Sequence, residues 1–274
     1  MKWLGVLSTI VVLVVVGFLI QRSQSTLKGI SSYRIYYGRM DETILEQMKK
    51  YDMIIVEALH FTPEMVEELH LAGVKVIGYI SASEVGRWDD EIIAVMNEDD
   101  WLKKSGRVVM NSHNKLGDLQ SVHYRSILAE TIEKRIKNLG MDGVFFDTVD
   151  SIDVLDIQDD KTAQASGYIK LLEDVRFRWE DAILIQNRGF NYLYLLERGM
   201  IDALLWENFS EDLMDKKVYK ERGQMLQRQR WLKNIRPMVL AYRDEADSMR
   251  LAEKKRWMFS YLPGQEGLTD WTLD

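Results

Sequence analysis

Acidic side chains recur in this chain directly after short apolar runs. Glu57 follows Met53–Val56, Asp147 follows Gly143–Phe146, and Glu207 follows Ala203–Trp206. Glu84 and Asp244 stand just past two further runs, and Asp150 lies three residues beyond Asp147. Asn187 and Arg188 close another run, while Tyr37, Tyr79, Trp206 and Tyr242 bring aromatic rings to the same places. Carboxylates, amides and aromatic rings together suit a carbohydrate, whose ring has polar edges and apolar faces. Breaking a glycosidic bond takes two carboxyl groups: one protonates the leaving oxygen, the other attacks the anomeric carbon or activates water. Asp147 and Glu207 are the expected pair, since each is held by a rigid apolar run. Trp206 beside Glu207 is expected to desolvate it and raise its pKa, which makes Glu207 the general acid/base and Asp147 the nucleophile. Retention is expected, with the carboxyl groups about 5–5.5 Å apart. Glu57, Glu84, Asp150 and Asp244 are expected to meet hydroxyls or protonated amino groups. Asn187, Tyr37, Tyr79, Trp206 and Tyr242 complete the expected substrate-binding set, and Trp88 and Trp101 are further stacking candidates. Each has a plainer alternative: an acid at a strand end also caps the next helix, and an aromatic ring also packs a core.

The elements that would position these residues follow from the same runs. β-branched and aromatic segments lie at Arg34–Gly38, Met53–Ala58, Val74–Ser81, Gly143–Asp147, Ala182–Asn187, Ala203–Asn208, Pro237–Tyr242 and Trp257–Leu262. Helical patterns separate them at Asp41–Lys50, Thr62–Leu71, Val122–Leu139, Lys161–Trp179, Met214–Asn234 and Asp244–Lys255. Eight strands alternating with helices over one domain predict an α/β fold, a (β/α)8 TIM barrel, whose chemistry sits at the C-terminal ends of its strands. No G-x-G-x-x-G follows the first strand, which leaves a dinucleotide fold without support. The third connection, Ala82 to Ser121, is the longest and carries one weak extra strand, Arg107–Asn111.

The chain divides at about residue 28. Residues 3–20 read WLGVLSTIVVLVVVGFLI, 18 residues without a charge, preceded by Lys2 and followed by QRSQS. The run is near the length of a membrane span, has no amphipathic stripe and is followed by no small-residue cleavage site. It predicts an uncleaved transmembrane signal anchor with a short linker (1–28), ahead of a barrel domain (29–274) held outside the cytoplasm. If the segment is cleaved, the domain is secreted. The whole chain carries −7, and residues 1–28 hold three bases and no acid, so the barrel domain carries −10. Such a surface repels nucleic acid and attracts a cationic polymer. There is no cysteine, and His60, His70, His113 and His123 have no metal-ligand spacing. No metal or cofactor is expected.

The runs GMDGVFFDTVDS (Gly140–Ser151), GYISASE (Gly78–Glu84) and QNRG (Gln186–Gly189) resemble glycoside hydrolase family 114, as do the opening YYG and the WEN of the sixth strand. That resemblance covers the chain from about Tyr33 onward. It implies an endo-α-1,4-polygalactosaminidase, a barrel enzyme related to the hydrolase domain that acts on the Pel exopolysaccharide. It places the family's acidic pair on Asp147 and Glu207, and it implies a galactosamine-rich, partly deacetylated and therefore cationic glycan. Ser83 stands before Glu84 where the family usually has glycine. Two alternatives remain at this level: a catalytically silent glycan-binding barrel at the cell surface, and a hydrolase of a neutral α-glycan.

Overall fold

The computed structural model describes residues 26–156 and 158–272. The apolar run at residues 3–20, expected to be a membrane anchor, lies outside the described residues. No helix among the described residues is long and apolar enough to cross a membrane.

Eight parallel strands form one sheet that curls into a nearly closed barrel: β1 (Tyr33–Tyr36), β2 (Met53–Val56), β3 (Lys75–Ser81), β4 (Gly143–Asp147), β5 (Ile183–Asn187), β6 (Ala203–Phe209), β7 (Arg236–Ala241) and β8 (Met258–Tyr261). Their order in the sheet is their order in the chain. The helices between them are α1 (Glu42–Met48), α2 (Pro63–Leu71), α3 (Asp90–Val95), α4 (Val122–Arg135), α5 (Gln158–Arg178), α6 (Lys217–Lys233) and α7 (Glu245–Lys255). A 3-10 turn, Phe190–Tyr192, replaces a helix between β5 and β6, and another, Gln265–Leu268, follows β8. The predicted strands hold to within a few residues.

Local chemistry sets the boundaries. Thr62 accepts from the Met65 N–H and Pro63 occupies the first turn of α2, the expected start signal. Ser121 caps α4 in the same way. That helix was predicted to run to Leu139; it ends at Arg135 and tightens into a 3-10 turn that stops at Gly140, φ +83°. Gly143 opens β4 because a Cβ there would sit 2.0 Å from the Ile183 carbonyl oxygen.

Side chains on a strand alternate between faces. Tyr33, Ile35, Met53, Ile55, Ile77, Phe145, Ile183, Ile185, Ala203, Leu205, Met238 and Leu240 fill the barrel interior. Their neighbours Ile54, Val56, Val76, Val144, Phe146, Leu184, Leu204 and Val239 face the helix layer. Leu27 joins the inner cluster, fully buried. Its carbonyl accepts from Arg236 at 2.6 Å, and Thr26 donates to Asp202 at 2.7 Å. The chain therefore enters at the N-terminal face of the barrel, beside the starts of β6 and β7.

The predicted extra strand Arg107–Asn111 divides in two. Arg107–Val108 pairs antiparallel with Lys103–Lys104, and Met110–Asn111 joins Asn114–Leu116 and Glu84–Val85 in a separate small sheet. Between the two pieces Val109 donates to Leu102 and accepts from Leu116, which turns the ladder from one sheet to the other.

Candidate active site

The inward parity that fills the barrel continues to its mouth. Counting by twos from the buried interior residues reaches Tyr37, Glu57, Tyr79, Asp147, Asn187, Glu207 and Tyr242, seven of the eleven expected site residues. The core alternation thus delivers a ring of polar and aromatic side chains to the C-terminal face, where barrels of this kind keep their chemistry.

At its centre one amide bridges two carboxylates. The Asn187 side-chain Nδ2 donates to Asp147 Oδ1 at 2.8 Å and to Glu207 Oε2 at 2.8 Å. Two straight bonds from one NH2 group would set the accepting oxygens about 5 Å apart. Tyr242 donates its hydroxyl to Glu207 Oε1 at 2.7 Å, and Arg188 Nη2 lies 3.4 Å from Oε2. Asp147 also receives the Tyr79 hydroxyl and the Thr148 N–H. Burial pushes the Asp147 carboxyl above its ordinary range; the Asn187 bond opposes this and the charge of Glu207 adds to it. Burial raises Tyr79 and Tyr242 as well, and the neighbouring carboxylates keep both hydroxyls protonated as donors.

Three strands turn sharply at the site. The residue after each central side chain has a left-handed backbone: Thr148 (φ +59°), Arg188 (φ +52°) and Asn208 (φ +56°). None is glycine, so each conformation costs on the order of 1 kcal/mol or more. Local bonds hold them. The Thr148 hydroxyl lies 2.8 Å from Ser81 Oγ and accepts from the N–H groups of Ser83 and Glu84. At Asn208 the β6–β7 register shifts, a bulge just beyond Glu207.

A cavity of about 420 Å³ opens beside the bridged pair, lined among others by Tyr37, Glu57, Tyr79, Glu84, Trp88 and Asp89. Tyr37 and Tyr79 pack with ring centroids 4.8 Å apart and form one wall. Trp88 is 79% exposed, so its ring is free to meet a ligand. Burial raises the Glu57 carboxyl, with the Leu59 N–H bond opposing it. Asp89 is held by a two-pronged pair with Arg135.

Several expected residues have other work. Trp206 was expected to press on Glu207 and bind substrate. It is one residue out of the inward parity, 1% exposed, and packs in the helix layer against Phe190, Phe209, Tyr219 and Trp257. It does not line the cavity. Trp101 bridges to Gly117 and carries Lys115 over its ring, so it packs the third connection. Tyr242, expected as a stacking platform, donates its hydroxyl to Glu207. Glu84 reaches the cavity but accepts from Asn111, Asn114 and Ser151, fastening the small sheet to the loop after β4. Asp150 pairs with Arg188 at 3.6 Å, and Asp244 accepts from Ser210 at 2.7 Å. Arg188 and Thr148 were not among the expected site residues. A cation directly after Asn187 at a strand end was the available signal for the first; nothing in the sequence marks the second.

The sequence profile of Glycoside-hydrolase family GH114 matches residues 22–217. No curated protein matches the chain. Among solved structures, the glycoside hydrolase domain of PelA from Pseudomonas aeruginosa is similar, with a TM-score of 0.71 at 20% identity over 85% of this chain and 94% of that one. Aspergillus fumigatus Ega3, in complex with galactosamine, gives a TM-score of 0.57 at 15% identity over 85% and 90%. An α-galactosidase from Thermus thermophilus gives 0.57 at 12% identity over 85% and 58%. Likeness at these identities speaks for the barrel.

Proposed function

The chain belongs to glycoside hydrolase family GH114, and from that premise we propose that it cleaves α-1,4-linked galactosamine-rich, partly deacetylated polysaccharide internally and with retention. The observation that carries the reading is the amide of Asn187 between Asp147 and Glu207. Facing oxygens about 5 Å apart suit a nucleophile and an acid/base on one anomeric centre, and leave too little room for the water that inversion needs.

Asp147 is the nucleophile and Glu207 the acid/base. The mechanism needs Glu207 protonated and Asp147 ionised when the glycosidic bond breaks. Burial keeps the negative charge on Asp147 costly until a ligand arrives. The 2-ammonium of a galactosaminyl unit is adjacent to the anomeric carbon and stabilises the Asp147 carboxylate at the moment of attack. The proton then remains on Glu207, which gives it to the leaving oxygen and afterwards takes one from water. Asn187 holds both groups in register; Tyr242 and Arg188 orient Glu207. The tyrosine wall and Trp88 supply apolar faces, and Glu57 and Glu84 supply negative charge, for a cationic sugar. Galactosamine in Ega3 is consistent with this class of sugar.

The test is incubation with a partly deacetylated α-1,4-galactosaminan, with product masses read over time. A ladder of short oligomers early in the reaction is expected. Monomer release alone overturns the internal mode of attack; equal cleavage of a neutral α-glucan overturns the substrate class.

A further inference from the structure

We propose that the N-terminal face of the barrel, opposite the active site, docks on an anionic phospholipid surface. The inference takes its direction from reading residues 3–20 as a membrane anchor and is independent of the glycan.

Helix C-termini gather on this face, because each helix returns antiparallel to its strand. The helix dipole favours lysines and arginines there, so their charge carries little by itself. The apolar residues are not explained that way. Phe177 in the last turn of α5 is 92% exposed, Leu71 at the end of α2 is 84% exposed, and Trp231 in the last turn of α6 is 81% exposed. They are three of the four most exposed large apolar side chains described, and they stand on three different helices around the ring. An apolar fringe spread over three helices suits a surface better than it suits one pocket on a protein partner.

Trp231 also borders an open depression of about 630 Å³ with Arg230, Lys254, Lys255 and Arg256. Within residues 227–236 and 253–256, Glu253 is the one exposed acid against exposed Arg228, Lys254, Lys255 and Arg256. This is a basic corner on a domain of net charge −10. A tryptophan beside lysines fits the boundary between lipid headgroups and acyl chains. The chain path fixes the direction. Thr26 and Leu27 are bound at this face by Asp202 and Arg236, with five residues between Thr26 and the apolar run. A short link of that length holds the face within reach of the bilayer and turns the cavity toward the outside.

Because the chain has no cysteine, single labels are available without background. Full-length Leu71→Cys, Phe177→Cys and Trp231→Cys, with Met110→Cys in the third connection as the opposite-face control, are nitroxide-labelled. Each is reconstituted in phosphatidylcholine vesicles with and without a quarter of phosphatidylglycerol. Power saturation compares a lipid-soluble with a water-soluble relaxant. The three labels should become oxygen-accessible only in the anionic vesicles, with Met110→Cys remaining aqueous. Lys254→Gln with Lys255→Gln should lower the ratio of docked to free about thirtyfold, leaving cleavage of soluble oligomer unchanged. Aqueous labels on protein that floats with the vesicles overturn the docking, as does their burial in a dimer seen by light scattering. If the protein floats with neither vesicle, both the anchor and the docking fail. If it floats only with the anionic vesicles and the lysine variants release it, the anchor reading fails and the docking stands.

Discussion

The bridged carboxylates give the sharpest residue-scale tests. Asp147→Asn and Glu207→Gln should each lower turnover of the polysaccharide by about 10²–10⁴-fold. On a substrate with an activated leaving group, Glu207→Gln should recover part of the first step, because such a group needs no acid; Asp147→Asn should not. The reverse pattern would exchange the two roles. A second measurement uses the raised Asp147 carboxyl. The nucleophile must be ionised, so the acidic limb of kcat/KM lies above the ordinary aspartate range. Glu207→Gln removes the neighbouring charge, and the limb should move to lower pH on the activated substrate. A limb that stays where it was would mean that Glu207 does not act on Asp147.

At the scale of elements, the sheet and the loops carry separate loads. Trp206 stands between β6 and the helix layer, so Trp206→Ala should cost about 3–5 kcal/mol of stability and leave KM unchanged for whatever enzyme stays folded. A raised KM with unchanged stability would return Trp206 to the site. Glu84 gathers three donors from the third connection and the loop after β4. Glu84→Ala leaves those donors without their acceptor, at about 1–3 kcal/mol. Residues 103–115 should then become the first site of limited proteolysis; an unchanged digest would show that the small sheet holds without Glu84. At the start of β1, Asp52 accepts from the backbone and hydroxyls of Ser31 and Ser32, and these bonds hold its pKa at about 2. A carboxyl lowered on folding stabilises above its unfolded pKa, and that contribution is lost as pH falls through the folded value. Asp52→Asn should therefore cost about 1 kcal/mol at pH 7, after allowing for solvent screening, and almost nothing once the pH is about a unit below the folded value. Denaturant unfolding at the two pH values decides it.

For the whole molecule, charge is the organising quantity. The domain is acidic, its cavity carries Glu57, Glu84 and Asp89 beside Arg135, and one basic corner, with Arg230, Lys254, Lys255 and Arg256, lies at the opposite face. A cationic glycan should bind more weakly as salt rises and as its amino groups are acetylated. The salt dependence should disappear with a fully acetylated polymer; if both polymers bind alike at every ionic strength, the cavity does not read amino groups.

The strands, their order of appearance and the acids at their ends were legible in the sequence because they are local. Apolar runs name the strands, and counting by twos along them names Glu57, Asp147, Asn187 and Glu207 as one ring. The same count would have excluded Trp206, whose neighbour Glu207 holds the inward position. What the sequence could not say is how those side chains meet. The bridge through Asn187 depends on the sheet curling until β4, β5 and β6 converge, and on left-handed turns at Thr148, Arg188 and Asn208, where no glycine announces one. The tie of Glu84 to residues as distant as Asn114 and Ser151 also exists only after the third connection folds back. Periodicity is a property of neighbouring residues; the distance between two carboxylates sixty positions apart is a property of the closed barrel.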